Sequence, residues 1–385
     1  MSQVDVEYLN LVRDILNNGT HKETRSGSVK SVFGRMIRLD VSNKLPILTT
    51  KKMFKKGVIH ELLWFLKGST NIQYLVNNNV HIWDDDAYRW FKTNFSPEYE
   101  EKLREKNIED IKFKIVDSSY NSVKFYDTLS ELLDDVDENK FIEYTGKGYI
   151  IQYYLYRYDT ERVDSMDIYK FGDLGPVYGY QWRKLFFDCD QIKNVIDTLR
   201  TNPNDRRMIV NSWNVRQIKN MALPPCHYSF QFYTQKLTYS ERMDWLYENS
   251  HNEYDEWKNP LESKLDELNV PKYKLSLMWN QRSVDTALGL PFNILSYSIL
   301  LYMIAQCVNM VPHEIIGSLG DCHIYENHID GLIEQMKRDP YKYDAPKLRL
   351  NKNIKDIDEF TYEDIAIDDY QSYPSIKFQL SVDSN

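Results

Sequence analysis

Cys226 is the first residue whose surroundings suggest chemistry: Leu223, Pro224 and Pro225 precede it, and His227 and the alternating run Tyr228 to Tyr233 follow. The prolines set an extended entry, so the thiol is expected at a rigid strand start. A cysteine becomes a useful nucleophile as the thiolate, and Arg206, Arg207 and Arg282 are the candidate cations that could lower its pKa. The same surroundings also fit an inert, buried cysteine beside a hydrogen-bonded histidine. No orienting Asn or oxyanion motif accompanies the pair, which counts against a cysteine hydrolase. Glu61 lies in the run Val58 to Leu66, where Val58, Glu61, Leu62 and Phe65 share a face at helical spacing. Its carboxylate is therefore expected among apolar groups, and burial raises a carboxyl toward the pKa of a proton-transferring acid. A Glu simply bonded to its neighbours fits the same spacing.

Three further sets stand out. Arg25 in Thr24 to Ser28, the pair Arg206 and Arg207, and Arg282 next to Ser283 could grip a phosphate through forked hydrogen bonds, although each alone is also an ordinary surface ion-pair residue. His323 and Tyr325 are two apart in Gly320 to Tyr325, hence on one face if that stretch is extended, and could bind sugar hydroxyls. A structural histidine is the alternative there.

Positioning these residues needs a mixed α/β framework. Strands are expected at Val29 to Leu39, Arg207 to Trp213, Tyr228 to Tyr233 and Lys274 to Asn280. Helices are expected at Val4 to Asn17, Gly57 to Lys67, Ile192 to Thr201 and Phe292 to Asn309. No GxGxxG follows a strand, so a dinucleotide-binding fold is excluded, and no repeat or low-complexity tract is visible. From Thr286 to Pro312 there is no charge, long enough to span a bilayer, but Asn293, Ser296, Ser298, Gln306 and Asn309 favour a helix in a large core.

The chain has 385 residues, 42% hydrophobic and 27% charged, with 14 Gly and 13 Pro, which excludes fibrous and disordered classes. A net charge of -9 disfavours non-specific attraction to nucleic acid or anionic membrane. The four cysteines form neither a disulfide framework nor a zinc pattern, so no metal and a reducing, cytoplasmic setting are expected. Met1 to Arg13 lacks the basic and apolar regions of a secretory signal. Composition shifts at 87–171 and 238–272 toward Tyr, Asp, Glu and Lys, and both segments are read as solvated surface insertions. The first is expected to hold a helix at Phe125 to Val136 and a strand at Tyr149 to Arg157, as a small α+β appendage. The second is expected to hold helices at Glu241 to Glu248 and Leu261 to Leu268.

Singly these signals are weak, but their order is specific. The chain carries Thr24 to Ser28, Pro46 to Lys51, His60 to Leu66, Ile82 to Asp84, Gly172 to Gly179, Asp205 to Arg207, Met221 to His227, Gln281 to Ser283, Gly289 to Asn293 and Gly320 to Tyr325. In these phrases, across roughly two thirds of its length, it closely resembles the thymidylate synthase family. The resemblance implies an α/β (α+β) fold of one domain, 1–385, with a mixed sheet, a buried central helix and the two insertions. It implies reductive methylation of dUMP to dTMP, with 5,10-methylenetetrahydrofolate as one-carbon and hydride donor and dihydrofolate as product. By the same resemblance Cys226 is the nucleophile, Glu61 the proton relay, and Tyr178, His227 and Asp285 complete the catalytic set. Arg25, Gln281, Arg282, Ser283, Asn293, His323 and Tyr325 hold dUMP, with Arg206 and Arg207 supplied by the second subunit of a homodimer. Lys51, Ile82, Trp83, Asp285, Leu288, Gly289, Phe292 and Ser381 meet the folate. A dUMP hydroxymethylase, which traps the same intermediate with water, and a non-catalytic scaffold on the same fold are the alternatives.

Four departures from the family pattern are visible. Both insertions exceed the family norm, Met278 to Asn280 differs from the usual residues and implies a repacked strand, and Cys322 replaces a Thr or Ala. Asp383, Ser384 and Asn385 extend the terminus, which is expected to weaken its closure over the substrates.

Overall fold

The computed structural model describes residues 3–24, 26–95, 111–157, 162–249 and 261–379, with the side chains of 154–157 and 162–165 left aside. Its strands in chain order are β1 (Thr20–Thr24), β2 (Gly27–Asp40), β3 (Ile111–Val116), β4 (Ser122–Tyr126), β5 (Ile150–Arg157), β6 (Arg162–Lys170), β7 (Ile209–Asn211), β8 (His227–Lys236), β9 (Tyr273–Asp285), β10 (Val311–Tyr325), β11 (Lys347–Leu350) and β12 (Ile365–Asp368). They fall into two units: Met1–Leu66, Trp182–Ser212 and Cys226–Asn385 form the first, Lys67–Gln181 and Trp213–Pro225 the second.

The first unit is built on a six-stranded sheet in the order β1-β2-β10-β9-β8-β7. Only β9 and β10 run parallel; their neighbours pair antiparallel, so the sheet is mixed as expected. Alternate residues of β9, Leu275, Leu277, Trp279 and Gln281, are buried. Against β9 and β10 packs the helix Gly289–Cys307, with Leu290, Ile294, Leu295, Ile299, Leu300, Leu301 and Ile304 all buried. A helix apolar on every side is stable in water only when surrounded, and this one is. It is long and apolar enough to cross a membrane, yet most of it is buried inside the protein. Its Ser298 hydroxyl is satisfied within the helix, donating to the Ile294 carbonyl at 2.6 Å. The helix Gln3–Asn18 packs on β2 with Val4, Tyr8, Leu11, Val12 and Ile15 inward.

The second unit contains an antiparallel sheet in the order β4-β3-β5-β6 and the helices Asp84–Asn94, Leu129–Asp135 and Glu138–Lys147. Phe91, Phe141 and Phe171 are fully buried and mutually in contact, with ring centroids 5.3 to 5.8 Å apart. The segment read as a solvated insertion therefore has an apolar centre of its own. The helix expected at Phe125 to Val136 is corrected. Phe125 and Tyr126 close strand β4, and the helix starts only at Leu129, where the Thr128 hydroxyl caps the Glu131 amide. An aromatic and β-branched run followed by an N-cap residue ends a strand rather than opening a helix. At 238–272 the helices Tyr239–Asn249 and Glu262–Glu267 close around Met243, Leu246, Leu265 and Val270.

Elsewhere the expected elements are found within a few residues, except that β9 runs on to Asp285 and the fifteen-residue β10 extends far beyond the Gly320 to Tyr325 stretch considered as extended. Pro312, Gly317 and Gly320 weaken its strand signal, and it forms because β2 and β9 flank it on both sides.

Candidate active site

Cys226 is partly exposed where the chain enters β8. Its carbonyl accepts the Arg282 amide at 2.8 Å, and His227 lies opposite Gln281 on β9. The parallel neighbour then sets Asp321 beside Ser283 and His323 beside Asp285. Three adjoining strands thus present Cys226, Arg282, Ser283, Asp285, His323 and Tyr325 at one end of the sheet. Gly320 permits this close approach, since a Cβ there would stand 2.8 Å from the Arg282 carbonyl oxygen. His323 and Tyr325 share a face, as extended geometry requires, and their rings are 5.3 Å apart.

Behind the thiol, His227 is buried, and its Nδ1 is 2.8 Å from the Tyr297 hydroxyl on the central helix. Burial depresses the imidazole to about 3, so it is neutral at physiological pH. Burial, and then the nearby Glu61 charge, push the Tyr297 phenol well up. Glu61 is half-buried on the helix Lys55–Leu66, less enclosed than its sequence spacing implies, and Phe65 of that helix packs 6.2 Å from the His227 ring. Glu61 thus lies within electrostatic reach of Tyr297, which contacts His227, the residue after the cysteine. By contrast Cys307 and Cys322 are buried thiols raised to about 12, so neither is a nucleophile at neutral pH.

Past β9 the chain turns sharply. Asp285 Oδ1 accepts the Ala287 and Leu288 amides at 2.9 and 3.2 Å. Buried Lys51 donates to the Ala287 carbonyl at 2.5 Å; desolvation brings its ammonium down to about 8 although the Asp285 charge opposes this. Asn293, half-buried in the first turns of the central helix, has its Oδ1 4.0 Å from where a Gly289 Cβ would stand. Leu288 and Phe292 are half-buried beside it in the sequence. Gln281 is buried and used internally: its Oε1 accepts the Trp279 indole at 3.1 Å and its amide donates to the Ser283 carbonyl. The altered Met278 to Asn280 stretch is accommodated where Trp279 stacks on Tyr297 at 5.5 Å, opposite Gly317.

Arg206 and Arg207 are not brought to this end. They precede β7, level with Phe232, roughly six residues or about 20 Å along β8 from Cys226. Arg207 forks onto Asp205 with contacts of 2.6 and 3.0 Å, which hold that carboxyl at about 2. Tyr178, Ile82 and Trp83 belong to the second unit, where Tyr178 is buried with φ +26° and its ring meets Trp83 edge-on at 5.9 Å. Arg25 and Ser381, with Asp383 to Asn385, lie outside the described residues. Sequence reasoning missed Tyr297. Its position one helical turn beyond Asn293, a large phenol in a run without charge, is the signal that could have found it.

The chain matches the family model for thymidylate synthase over residues 6–382. It is 38% identical over 378 residues to a thymidylate synthase of Mycoplasma mobile, covering 98% of this chain and 99% of that protein. A thymidylate synthase of Malacoplasma penetrans is 38% identical over 377 residues, with 98% and 99% covered. One of Phytoplasma mali is 36% identical over 379 residues, with 97% and 99% covered. Near-complete coverage of both partners means that these relatives have nearly the length of this chain.

Proposed function

Because this chain belongs to the thymidylate synthase family, and so is a methyltransferase that makes dTMP from dUMP with a folate co-substrate, we propose the following roles for its residues. The Cys226 thiolate adds to C6 of the uracil, which turns C5 into a nucleophile toward the one-carbon unit of 5,10-methylenetetrahydrofolate. Glu61 serves the proton transfers, including loss of the C5 proton, with His227 and Tyr297 as a neutral hydrogen-bonded backing. Elimination of the folate and return of its hydride give the methyl group and dihydrofolate, and Cys226 leaves. The observation that carries this reading is the partly exposed Cys226, whose carbonyl is bonded to Arg282 while Glu61 acts on the Tyr297 that holds His227.

Arg282 and Ser283 bind the phosphate with Arg25, and Gln281 orders their strand. His323 and Tyr325 take the ribose. The Asn293 carboxamide reads O4 and N3 of the pyrimidine, donating to one and accepting from the other. Lys51, Asp285, Leu288, Gly289 and Phe292 meet the folate. Tyr178, Ile82, Trp83 and Ser381 join these roles by family resemblance alone. The whole chain, 1–385, is read as one thymidylate synthase domain with insertions at 87–171 and 238–272 and a terminal extension at 383–385.

A homodimer is part of this reading; the distance of Arg206 and Arg207 along β8 from their own Cys226 supports it beside the resemblance. The sheet face turned away from the central helix leaves Met36, Ile209 and Tyr233 exposed, with Met278 and Ile316 half-exposed, a surface suited to a second copy. Four cysteines outside any disulfide suit a cytoplasmic location. Incubation with dUMP and methylenetetrahydrofolate tests the assignment. We expect dTMP and dihydrofolate, both lost in Cys226→Ala. Tetrahydrofolate with a hydroxymethylated nucleotide would instead mark a hydroxymethylase, and turnover by Cys226→Ala would remove the thiol from the mechanism.

A further inference from the structure

The proposed chemistry leaves His328 unused, although it is completely buried directly after the ribose-binding stretch. Its Nε2 is 2.6 Å from the Gln379 carbonyl oxygen, and because that oxygen can only accept, Nε2 carries the proton. Its other nitrogen, Nδ1, has no hydrogen-bond partner among the described residues and faces Asp285 Oδ1 at 4.0 Å. The ring is wedged edge-on between Tyr325 at 5.5 Å and Phe378 at 5.2 Å. Phe378 in turn lies 4.8 Å from the Lys51 ammonium, which is bonded to the turn after Asp285.

These contacts end a longer seam. The segment toward the terminus is tied down by Tyr370 on the Leu48 carbonyl, the Tyr373 amide on the Thr49 carbonyl, and Arg338 on the Pro374 carbonyl. Gly331 gives it room, since a Cβ there would stand 2.6 Å from the Phe378 ring. His328 is the last of these anchors within the described residues, and the only one of them that also faces a proposed folate-binding carboxylate.

We propose that His328 is a positioning residue that clamps the C-terminal segment at Gln379 and Phe378 onto the Asp285 and Lys51 end of the site, so that seating of the segment and recognition of the folate are coupled. The inference rests on the assignment of Asp285 and Lys51 to the folate. Breaking the clamp frees Phe378 from Lys51 and leaves the Gln379 carbonyl unpaired, which weakens folate binding, while the ring retained in His328→Phe keeps the Tyr325 contact and so the dUMP side of the site.

The test compares the full-length enzyme with His328→Phe, which keeps the ring contacts and loses the donor, and His328→Gln, whose side-chain amide can restore it. Hydrogen exchange over 374–379 and the KM of each substrate are measured for all three, with Asp285→Asn alongside. For His328→Phe we expect faster exchange in that segment, a folate KM raised roughly five- to tenfold and an unchanged dUMP KM. His328→Gln should recover most of both effects. Gly331→Val, which crowds Phe378 without touching His328, should reproduce the loosened segment and the raised folate KM. Unchanged exchange in folded His328→Phe overturns the clamp. Faster exchange with an unchanged folate KM, or an equal rise in both KM values, overturns the coupling. An unaffected folate KM in Asp285→Asn refutes the assignment of that carboxylate, whichever way the exchange result falls.

Discussion

A titratable side chain in this site is governed more by burial than by its neighbours' charges. His227 shows it most clearly: desolvation alone takes the ring to about 3 from an ordinary 6.5. The unfolded chain therefore binds a proton near pH 6.5 that the native protein refuses until about pH 3. Stability is highest above 6.5 and declines as pH falls through that window, by about 1.4 kcal/mol per pH unit from this residue. Urea unfolding of the parent and His227→Gln between pH 4 and 7 should show that share of the slope disappearing in the variant; an identical slope would contradict a buried neutral imidazole. Lys51 provides the corresponding test of binding. With its ammonium brought down to about 8, the charge is lost as pH rises through 8, and folate KM should climb above that pH. Lys51→Met should begin with a raised folate KM and lack the alkaline limb.

At the level of elements, the parallel pair β9 and β10 decides where the side chains stand. Gly317 lies opposite Trp279, and a Cβ at Gly317 would come within 2.5 Å of the indole ring. The indole stacks on Tyr297, and Tyr297 holds His227, so two strands and the central helix meet through one glycine. Gly317→Ala must displace that ring. It should cost about 1–3 kcal/mol by overpacking and lower kcat more than it raises either KM, as thermal unfolding and steady-state kinetics would reveal. Wild-type kcat in a merely destabilised variant would separate the packing of Trp279 from the orientation of His227.

For the whole molecule, the proposed homodimer, with Arg206 and Arg207 serving the partner's site, makes a quantitative prediction. A pocket that takes its cysteine from one protomer and its arginine pair from the other can be rebuilt from two dead parents. When Cys226→Ala is mixed with a double Arg206→Ala, Arg207→Ala variant and subunits exchange at random, one site in each mixed dimer is complete. About a quarter of the wild-type sites should return. No recovery after demonstrated exchange would place the arginines outside the partner's site. Tyr233→Asp, on the uncovered sheet face, should shift the sedimentation of the enzyme toward that of a monomer.

Local chemistry made much of this protein legible in its sequence. Two prolines before Cys226 announced a fixed thiol at a strand start, and the helix Gly289–Cys307 was readable because an uninterrupted apolar stretch has few stable places in a folded chain. The ordered phrases carried the reaction. What could not be read was anything that depends on which strands become neighbours. β10, with its proline and two glycines, has little intrinsic preference for extension and is held by β2 and β9. The approach of Glu61 to Tyr297 between two helices, the His328–Gln379 contact and the separation of Arg207 from Cys226 along β8 likewise exist only in the folded chain. Residues far apart along a chain leave no periodic trace of their contact, because the free energy that joins them comes from burial and hydrogen bonding realised only when the sheet closes.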